Sequence, residues 1–328
     1  MKRRYFIALV GGMVAAGYPL GSQTEKASEI AIIGIVGASS PGEDLRLPAI
    51  REGLKEGGYV EGRNLVIDNR SAFGRLDQLP PIVSDLVRGK VTAIVTTGGG
   101  PSALAAKAVT TKIPIVFTVG GDPVQLGLVE SLNRPGGNMT GFSLNTVEIT
   151  AKALELLHEM VPHVATVALL LGTQTARSDL LKQYAGGAAN AFGLKLLRFQ
   201  VGSIREFEPT LARIVERGAG ALIVAAEPSF LHQRAQIIEL VARYRLPAIY
   251  PWREFVEEGG LMSYGTDLAD EYRQVGRYAA RILDGASPRD LPVQFPTRFE
   301  LIINRKTADA LDLTISRFLS AWANHVVE

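Results

Sequence analysis

The sequence predicts an α/β fold made of two doubly wound lobes, each a parallel sheet covered by helices. The length of 328 residues is enough for two domains. Short apolar runs rich in β-branched residues alternate with helical patterns, and the connections between them are short. This alternation begins again after Gly141, which indicates a second lobe of the same kind.

The first series of elements begins at residues 30–36. This continuous apolar run is typical of a strand buried on both faces of a parallel sheet. The predicted elements then follow in this order: helix 45–56, strand 65–67, helix 76–88, strand 93–95, helix 102–110 and strand 114–117.

The second series follows segment 140–147, which is predicted to cross between the lobes. A helix at 268–284 and a strand at 299–304 come late in the chain and must join lobes that are already built, so the chain is expected to cross back. The predicted elements between these crossings are helix 147–161, strand 164–171, helix 178–192, strand 194–200, helix 206–216, strand 221–225, helix 230–243 and strand 248–250.

These crossings predict the domain organisation. Residues 30–143 with 268–298 are expected to form the first lobe, and residues 144–267 with 299–328 the second, with a hinge and a cleft between them. A single eight-fold βα barrel is the alternative fold. A barrel needs eight regular units around one axis, and two Pro- and Gly-rich breaks, at 133–141 and 285–296, argue against it.

Residues 1–29 are predicted to be an export signal. Basic residues at 2–4 precede an uncharged apolar run at 5–20, which is shorter than the ~20 residues of a membrane-spanning helix. An uncleaved membrane anchor is the alternative interpretation. Arg3-Arg4 also resembles a twin-arginine signal, so both export routes stay open. Cleavage is expected somewhere between residues 17 and 29, and the mature protein is expected to be soluble.

Composition and missing motifs exclude several classes of function. The absence of Cys excludes disulfides, thiolate metal sites, cysteine nucleophiles and lipid attachment at a cysteine. Lys and Arg total 35 against 33 acidic residues, so a basic nucleic-acid binder is not expected. The phosphate-binding loop, the dinucleotide fingerprint and the serine-hydrolase elbow are all missing. The four His residues show no metal-binding spacing, so neither a cofactor nor a catalytic group is predicted.

Glycine-rich loops follow the predicted strands of the first lobe, where ligands bind in open wound sheets. Ser39 and Ser40 follow the first strand. Gly99 follows the third and precedes Ser102, at a helix start whose free N–H groups favour an anion such as a carboxylate. The loop after the fourth strand holds Gly120 and Asp122, and the Asp carboxylate could accept from an ammonium or a hydroxyl group. Turn and cap chemistry is the alternative role for each of these loops.

The second lobe offers polar and aromatic candidates at its strand ends. Thr173 and Glu227 each follow a predicted strand. Tyr250, Trp252 and Tyr264 could form a wall for a flat or aromatic ligand, because aromatic side chains bury a large apolar area and keep a polar edge. Core packing is the alternative role for the aromatic residues, and helix capping for Glu227.

Six stretches of the chain resemble a known family. Two of them are GLKEGGYVEGRN at 53–64 and RPGGNMTG at 134–141. The other four are 113–124, 246–256, 259–265 and 296–304. Taken together in chain order, these six stretches resemble the substrate-binding proteins of ABC transporters, the family that includes tryptophan-binding periplasmic proteins.

The resemblance implies a type I periplasmic binding protein fold, with a hinge of three segments that closes on a ligand. It implies a free periplasmic protein. No cofactor is expected, and the oligomeric state stays open, with a monomer as the natural form of a shuttle. Such a protein hands a small molecule to a permease and an ATPase, and contacts membrane components only transiently. The carried-over ligand-binding residues are Ser39, Ser40, Gly99, Ser102, Gly120, Asp122, Glu227, Trp252 and Tyr264. The sequence departs from its relatives at residues 172–175, where many of them have an Asn-Pro pair.

The expected function is binding of an amino acid or of another small carboxylate with an apolar or aromatic body. A periplasmic sensory module that presents its ligand to a membrane receptor is the alternative. An isomerase or hydrolase on a similar two-lobed fold is the enzymatic alternative, and no assembled nucleophile and base support it.

Overall fold

The computed structural model describes residues 30–38, 46–144, 146–172 and 175–328. The predicted export signal, Ser39, Ser40 and Thr173 lie outside the described residues. No helix in the described part of the chain has the length and apolar content needed to cross a membrane.

The first half of the chain forms alternating strands and helices, as predicted. In chain order the elements are β1 (Ala31–Gly37), α1 (Arg46–Glu56), β2 (Leu65–Ser71), α2 (Leu79–Arg88), β3 (Ala93–Thr97), α3 (Gly100–Val109), β4 (Ile115–Val119) and β5 (Met139–Ser143). The five strands form one sheet in the order β2-β1-β3-β4-β5, and every neighbouring pair is parallel. Helices cover this sheet, so its central strands are buried on both faces.

Strand β5 was not predicted, because its residues lie within the segment assigned to the crossing. The strand contains Thr140, Gly141 and Ser143, which do not resemble a buried apolar run. Gly141 has φ +155, and a Cβ there would overlap the backbone of Phe117 in β4. Close approach of the two strands therefore requires glycine in the middle of β5. Because β5 ends at Ser143 and α4 begins at Thr146, the crossing is shorter than predicted.

The second sheet is larger and mixed. In chain order the remaining elements are α4 (Thr146–Met160), β6 (Thr166–Leu171), α5 (Thr175–Ala191), β7 (Lys195–Gln200), α6 (Phe207–Glu216), β8 (Ala221–Val224), α7 (Pro228–His232), α8 (Arg234–Arg243), β9 (Ala248–Tyr250), α9 (Arg253–Glu257), β10 (Met262–Thr266), α10 (Leu268–Leu283), β11 (Phe299–Asn304), α11 (Arg305–Ala310), α12 (Arg317–Trp322) and β12 (His325–Val327). The strand order is β12-β11-β10-β9-β8-β6-β7, and β10 pairs antiparallel with β11.

Helix α10 returns to the first lobe, where it packs against α1. Glycines make this contact close: a Cβ at Gly53 would overlap the carbonyl oxygen of Arg273, and one at Gly276 would overlap that of Ile50. Strand β11 then rejoins the second sheet. The elements of the described residues thus alternate between the lobes three times: from β5 to α4, from β10 to α10, and again before β11.

Two separate sheets with three connections exclude the eight-fold barrel and confirm the predicted two-lobed α/β fold. The elements on either side of each crossing belong to different lobes. The predicted lobe boundaries in sequence stay a prediction.

Candidate ligand-binding cleft

A cleft of about 430 Å³ lies where the two lobes face each other. Both lobes contribute to it at the carboxyl ends of their strands, the usual position of ligand sites in wound sheets. The lining residues are Arg46, Gly98, Gly99, Thr118, Val119, Gly120, Leu144, Thr146, Ala226, Pro228, Leu231, Trp252, Leu268 and Tyr272.

The loop between β3 and α3 forms one side of the cleft. Gly98 has φ +93 and Gly99 has φ +87, a conformation that favours glycine. A Cβ at Gly98 would lie 2.7 Å from the backbone nitrogen of Ala38, so only glycine fits between this loop and the end of β1. Gly99 is the N-cap of α3 and provides no side-chain acceptor. The positive end of α3 therefore begins at the cleft, which favours a negatively charged group.

Ser102 lies behind this loop rather than among the residues that line the cleft. It is fully buried, and its hydroxyl has no hydrogen-bond partner among the described residues. The neighbouring Thr96 hydroxyl is in the same situation, while Thr118 donates from Oγ1 to the Thr96 carbonyl at 3.1 Å. Direct contact between Ser102 and a ligand stays a prediction.

The loop after β4 places one of its two predicted residues in the cleft. Gly120 lines the cleft, and its carbonyl accepts from the backbone N–H of Thr146 at 3.1 Å and from Thr146 Oγ1 at 2.8 Å. This contact joins the first lobe to the start of α4. Asp122 is not among the lining residues, and its Oδ1 accepts from the N–H groups of Val124 and Gln125. Asp122 thus stabilises its own turn, and its contact with a ligand stays a prediction.

Arg46, the first residue of α1, is a functional candidate that the sequence analysis missed. It lines the cleft and is only 5% exposed. Its guanidinium lies 3.1 Å from Nε2 of His232 in the second lobe and 5.9 Å from the centre of the Tyr272 ring. A guanidinium only donates, so the ring nitrogen of His232 accepts. Arg46 therefore brings a buried positive charge into the cleft and connects the two lobes.

Two aromatic side chains line the cleft from opposite lobes. Trp252, predicted from sequence, is buried at the start of α9. Tyr272 on α10 was not predicted, and it is also buried. Together with Leu144, Leu231 and Leu268 they give most of the cleft an apolar surface. Such a surface suits a ligand with an apolar or aromatic body.

A second pocket, of about 360 Å³, adjoins the cleft inside the second lobe. It lies between α4 and the ends of β8, β9 and β10, and it shares Thr146, Ala226 and Trp252 with the cleft. Tyr264 lines this pocket and stacks on Phe299 with ring centres 6.2 Å apart. Burial, followed by the charge of Glu155, raises the pKa of the Tyr264 hydroxyl.

The remaining two candidates are placed by core packing. Tyr250 stacks on Phe255, with ring centres 4.8 Å apart, and borders the second pocket but not the cleft. Glu227 is buried at the N-cap of α7, between two residues that line the cleft. A Cβ at Gly172 would lie 2.6 Å from the carboxyl carbon of Glu227, so the Glu227 side chain packs directly against this glycine. Ligand contacts of Tyr250 and Glu227 stay predictions.

Two further carboxyl groups are buried close to the aromatic side chains of the cleft. Glu254 is two residues from Trp252, and Glu271 precedes Tyr272. Burial raises the pKa of each to about 7. Among the described residues, no group of three His, Asp or Glu side chains is arranged to hold a metal ion.

A family model described as "ABC transporter substrate binding protein" matches residues 29–327. The chain is 28% identical over 260 residues to the tyrosine-binding protein of Clostridioides difficile, a match that covers 79% of this chain and 74% of that protein.

Solved structures show the same similarity. One is an ABC domain in complex with L-Trp from Streptococcus pneumonia, with a TM-score of 0.80, 26% identity, and coverage of 90% of this chain and 100% of that chain. Another is the ligand-free, open structure of a substrate binding protein with adhesive properties from Clostridium difficile. Its TM-score is 0.67 at 25% identity, and the match covers 91% of this chain and 99% of that chain.

Proposed function

The chain belongs to the family of ABC transporter substrate-binding proteins, and from this we propose that it is an exported receptor for an aromatic amino acid. Proteins of this family bind small ligands, work with ABC transporters and typically act outside the cytoplasm. On this proposal the chain releases its ligand unaltered to a permease driven by a separate ATPase. It acts as a free monomer in the periplasm after loss of residues 1–29.

One observation carries the choice of ligand: the cleft combines a buried cation with an apolar, aromatic surface. The guanidinium of Arg46 and the uncapped start of α3 provide donors for a carboxylate. Trp252 and Tyr272 provide faces for an aromatic side chain. The relatives named for tyrosine and solved with L-Trp support the same class of ligand.

The relative position of the lobes supports hinge closure. Arg46 of the first lobe contacts His232 of the second lobe, which requires the lobes to be close together. The TM-score is 0.80 to the structure that holds L-Trp and 0.67 to the ligand-free, open structure, at nearly equal sequence identity. We therefore propose that this arrangement is the closed one, and that the three connections between the lobes bend as it opens.

Calorimetric titration of the exported chain tests the ligand class. L-Tryptophan and L-tyrosine are compared with tryptamine and tyramine, which lack the carboxylate, and with indole-3-propionate, which lacks the amino group. We expect saturable binding of at least one of the two amino acids and at least tenfold weaker binding of its amine. Failure of both amino acids to bind would contradict the proposal.

A further inference from the structure

A third cavity, of about 540 Å³, lies in the second lobe at the opposite end of strands β9 and β10 from the cleft. Helix α8, the turn that precedes β10, and helix α11 enclose it. Its lining includes residues just before or at the start of β9 and β10, whereas the cleft is lined by residues that follow these strands. Most of the lining is apolar, from Ile238, Val241, Ala242, Leu246, Ala248 and Leu261.

Tyr250 brings a polar group to this apolar cavity. Ala248 and Tyr250 are alternate residues of β9, so their side chains project from the same face of the sheet, and both line the cavity. The ring lies against Gly260, where a Cβ would be 2.8 Å from Cε2 of Tyr250. Glycine at 260 thus leaves room for this ring at the cavity wall.

The hydroxyl of Tyr250 is left without a protein partner. Tyr250 is only 2% exposed, and its hydroxyl makes no hydrogen bond with any residue in the described part of the chain. Burial alone raises the pKa of this hydroxyl well above its usual range. The hydroxyl oxygen is not one of the fully enclosed polar atoms of the described residues that lack a partner, so it reaches open space. Its hydrogen-bond partner therefore comes from outside the chain.

Other polar side chains of the cavity are already engaged. Thr307 donates from Oγ1 to the carbonyl of Gly259 at 2.9 Å. Arg245, at the exposed mouth, forms an ion pair with Asp312 at 2.9 Å. These contacts hold the rim together and leave the Tyr250 hydroxyl as the group that can bind an occupant.

We propose that this cavity is a second binding site, independent of the cleft, for a small uncharged apolar molecule that carries one hydroxyl or carbonyl oxygen. The apolar wall accommodates the body of the molecule, and Tyr250 hydrogen-bonds its oxygen. One polar group in an otherwise apolar pocket is the usual composition of a small-molecule site. The site does not depend on what the cleft binds.

The proposal is tested by ligand-observed NMR titration with cyclohexanol. Cyclohexane, which has the same ring without the oxygen, is the control ligand. We expect saturable binding of cyclohexanol to the wild-type protein. Ala242→Phe, at an exposed position of the mouth, should abolish binding by filling the entrance. Glu239→Phe, at another exposed position of α8 that does not line the cavity, should leave binding unchanged.

Tyr250→Phe separates the hydroxyl from the rest of the site, because phenylalanine keeps the stack on Phe255. We expect cyclohexanol to bind about 2–10-fold more weakly, which is the effect of losing one hydrogen bond. Binding of cyclohexane should be unchanged. Circular dichroism verifies that each variant is folded. Three results would overturn the proposal: no saturable binding, full binding by Ala242→Phe, or equal affinity for cyclohexanol in Tyr250→Phe.

Discussion

A buried guanidinium is the group in the cleft that most strongly favours an anionic ligand. Arg46 is almost completely removed from water, and a buried charge is stable only with hydrogen-bonding or charged partners. His232 of the other lobe is one such partner. A ligand carboxylate beside Arg46 would add a charge-assisted hydrogen bond at the point where the lobes meet.

Replacement of Arg46 by Gln tests this role. Loss of a hydrogen bond between charged groups costs about 1.5–3 kcal/mol, so we expect affinity for the amino acid to fall roughly 10–100-fold. Arg51→Gln is the matched control, because Arg51 is an exposed residue of the same helix whose ion pair with Glu61 is on the surface. Unchanged calorimetric affinity in Arg46→Gln would remove this residue from the site.

The buried carboxyl of Glu271 makes the stability of the fold depend on pH. Below about pH 4.5 this carboxyl is protonated in both states. As the pH rises from there to about 7, the unfolded state loses its proton while the folded state keeps it, so stability falls. Above about pH 7 the loss is complete.

We therefore expect Glu271→Gln to be more stable than the wild type at pH 8, by about 3 kcal/mol, and to lose less stability between pH 5 and pH 8. Urea unfolding at the two pH values measures the difference. Glu208→Gln, at an exposed position, should follow the wild type. A parallel pH dependence in the wild type and Glu271→Gln would contradict the assignment.

At the residue scale, strand ends determine where several of the predicted residues lie. Gly99, Gly120 and Trp252 follow strands whose carboxyl ends converge, and all three line the cleft. Arg46 and Tyr272 were missed because they lie on helices, and nothing in a single sequence tells which helix faces the other lobe. For Asp122, which precedes Pro123, the sequence alone does not distinguish a side chain that stabilises its own turn from one that contacts a ligand.

Among the elements, close packing of α1 and α10 fixes the return of the chain to the first lobe. Gly53 and Gly276 lie at this contact, where added methyl groups would overlap backbone oxygens. The α1–α10 contact therefore depends on small residues on both helices. The apolar periodicity of α10 predicted a helix, but its packing partner α1 follows only from the structure.

Gly53→Ala should destabilise the protein by about 1–3 kcal/mol, because overpacking forces the two helices apart. Gly187→Ala is the matched control. This helical glycine of α5 is exposed, and a methyl group added there would meet no atom within 4 Å, so alanine should stabilise by up to about 1 kcal/mol. Thermal unfolding measures both. A neutral Gly53→Ala would show that the helices separate without cost.

Strand and helix alternation was predictable because buried parallel strands are apolar and short. The exceptions have local causes. Strand β5 has a polar composition and a glycine that the neighbouring strand requires. The predicted helix 230–243 is interrupted at Gln233, whose ψ of +12 separates α7 from α8. Strand β12 pairs with β11 at the edge of the sheet, a long-range contact that periodicity does not reveal.

At the scale of the whole molecule, hinge closure requires that the two lobes approach each other around the ligand. The contact between Arg46 and His232 and the bond between Gly120 and Thr146 both join the lobes next to the cleft. A ligand that touches both lobes binds the closed arrangement better than the open one, and so shifts the population toward it.

Distance measurement between the lobes tests hinge closure most directly, and the absence of Cys allows specific labelling. Spin labels at Gln125→Cys in the first lobe and Ser229→Cys in the second occupy exposed positions beside the cleft loops. Pulsed electron resonance is recorded on ligand-free protein and after saturation with L-tryptophan or L-tyrosine. Closure around the ligand predicts a shorter, narrower distance distribution when the amino acid is bound. An identical distribution with and without either amino acid would contradict it.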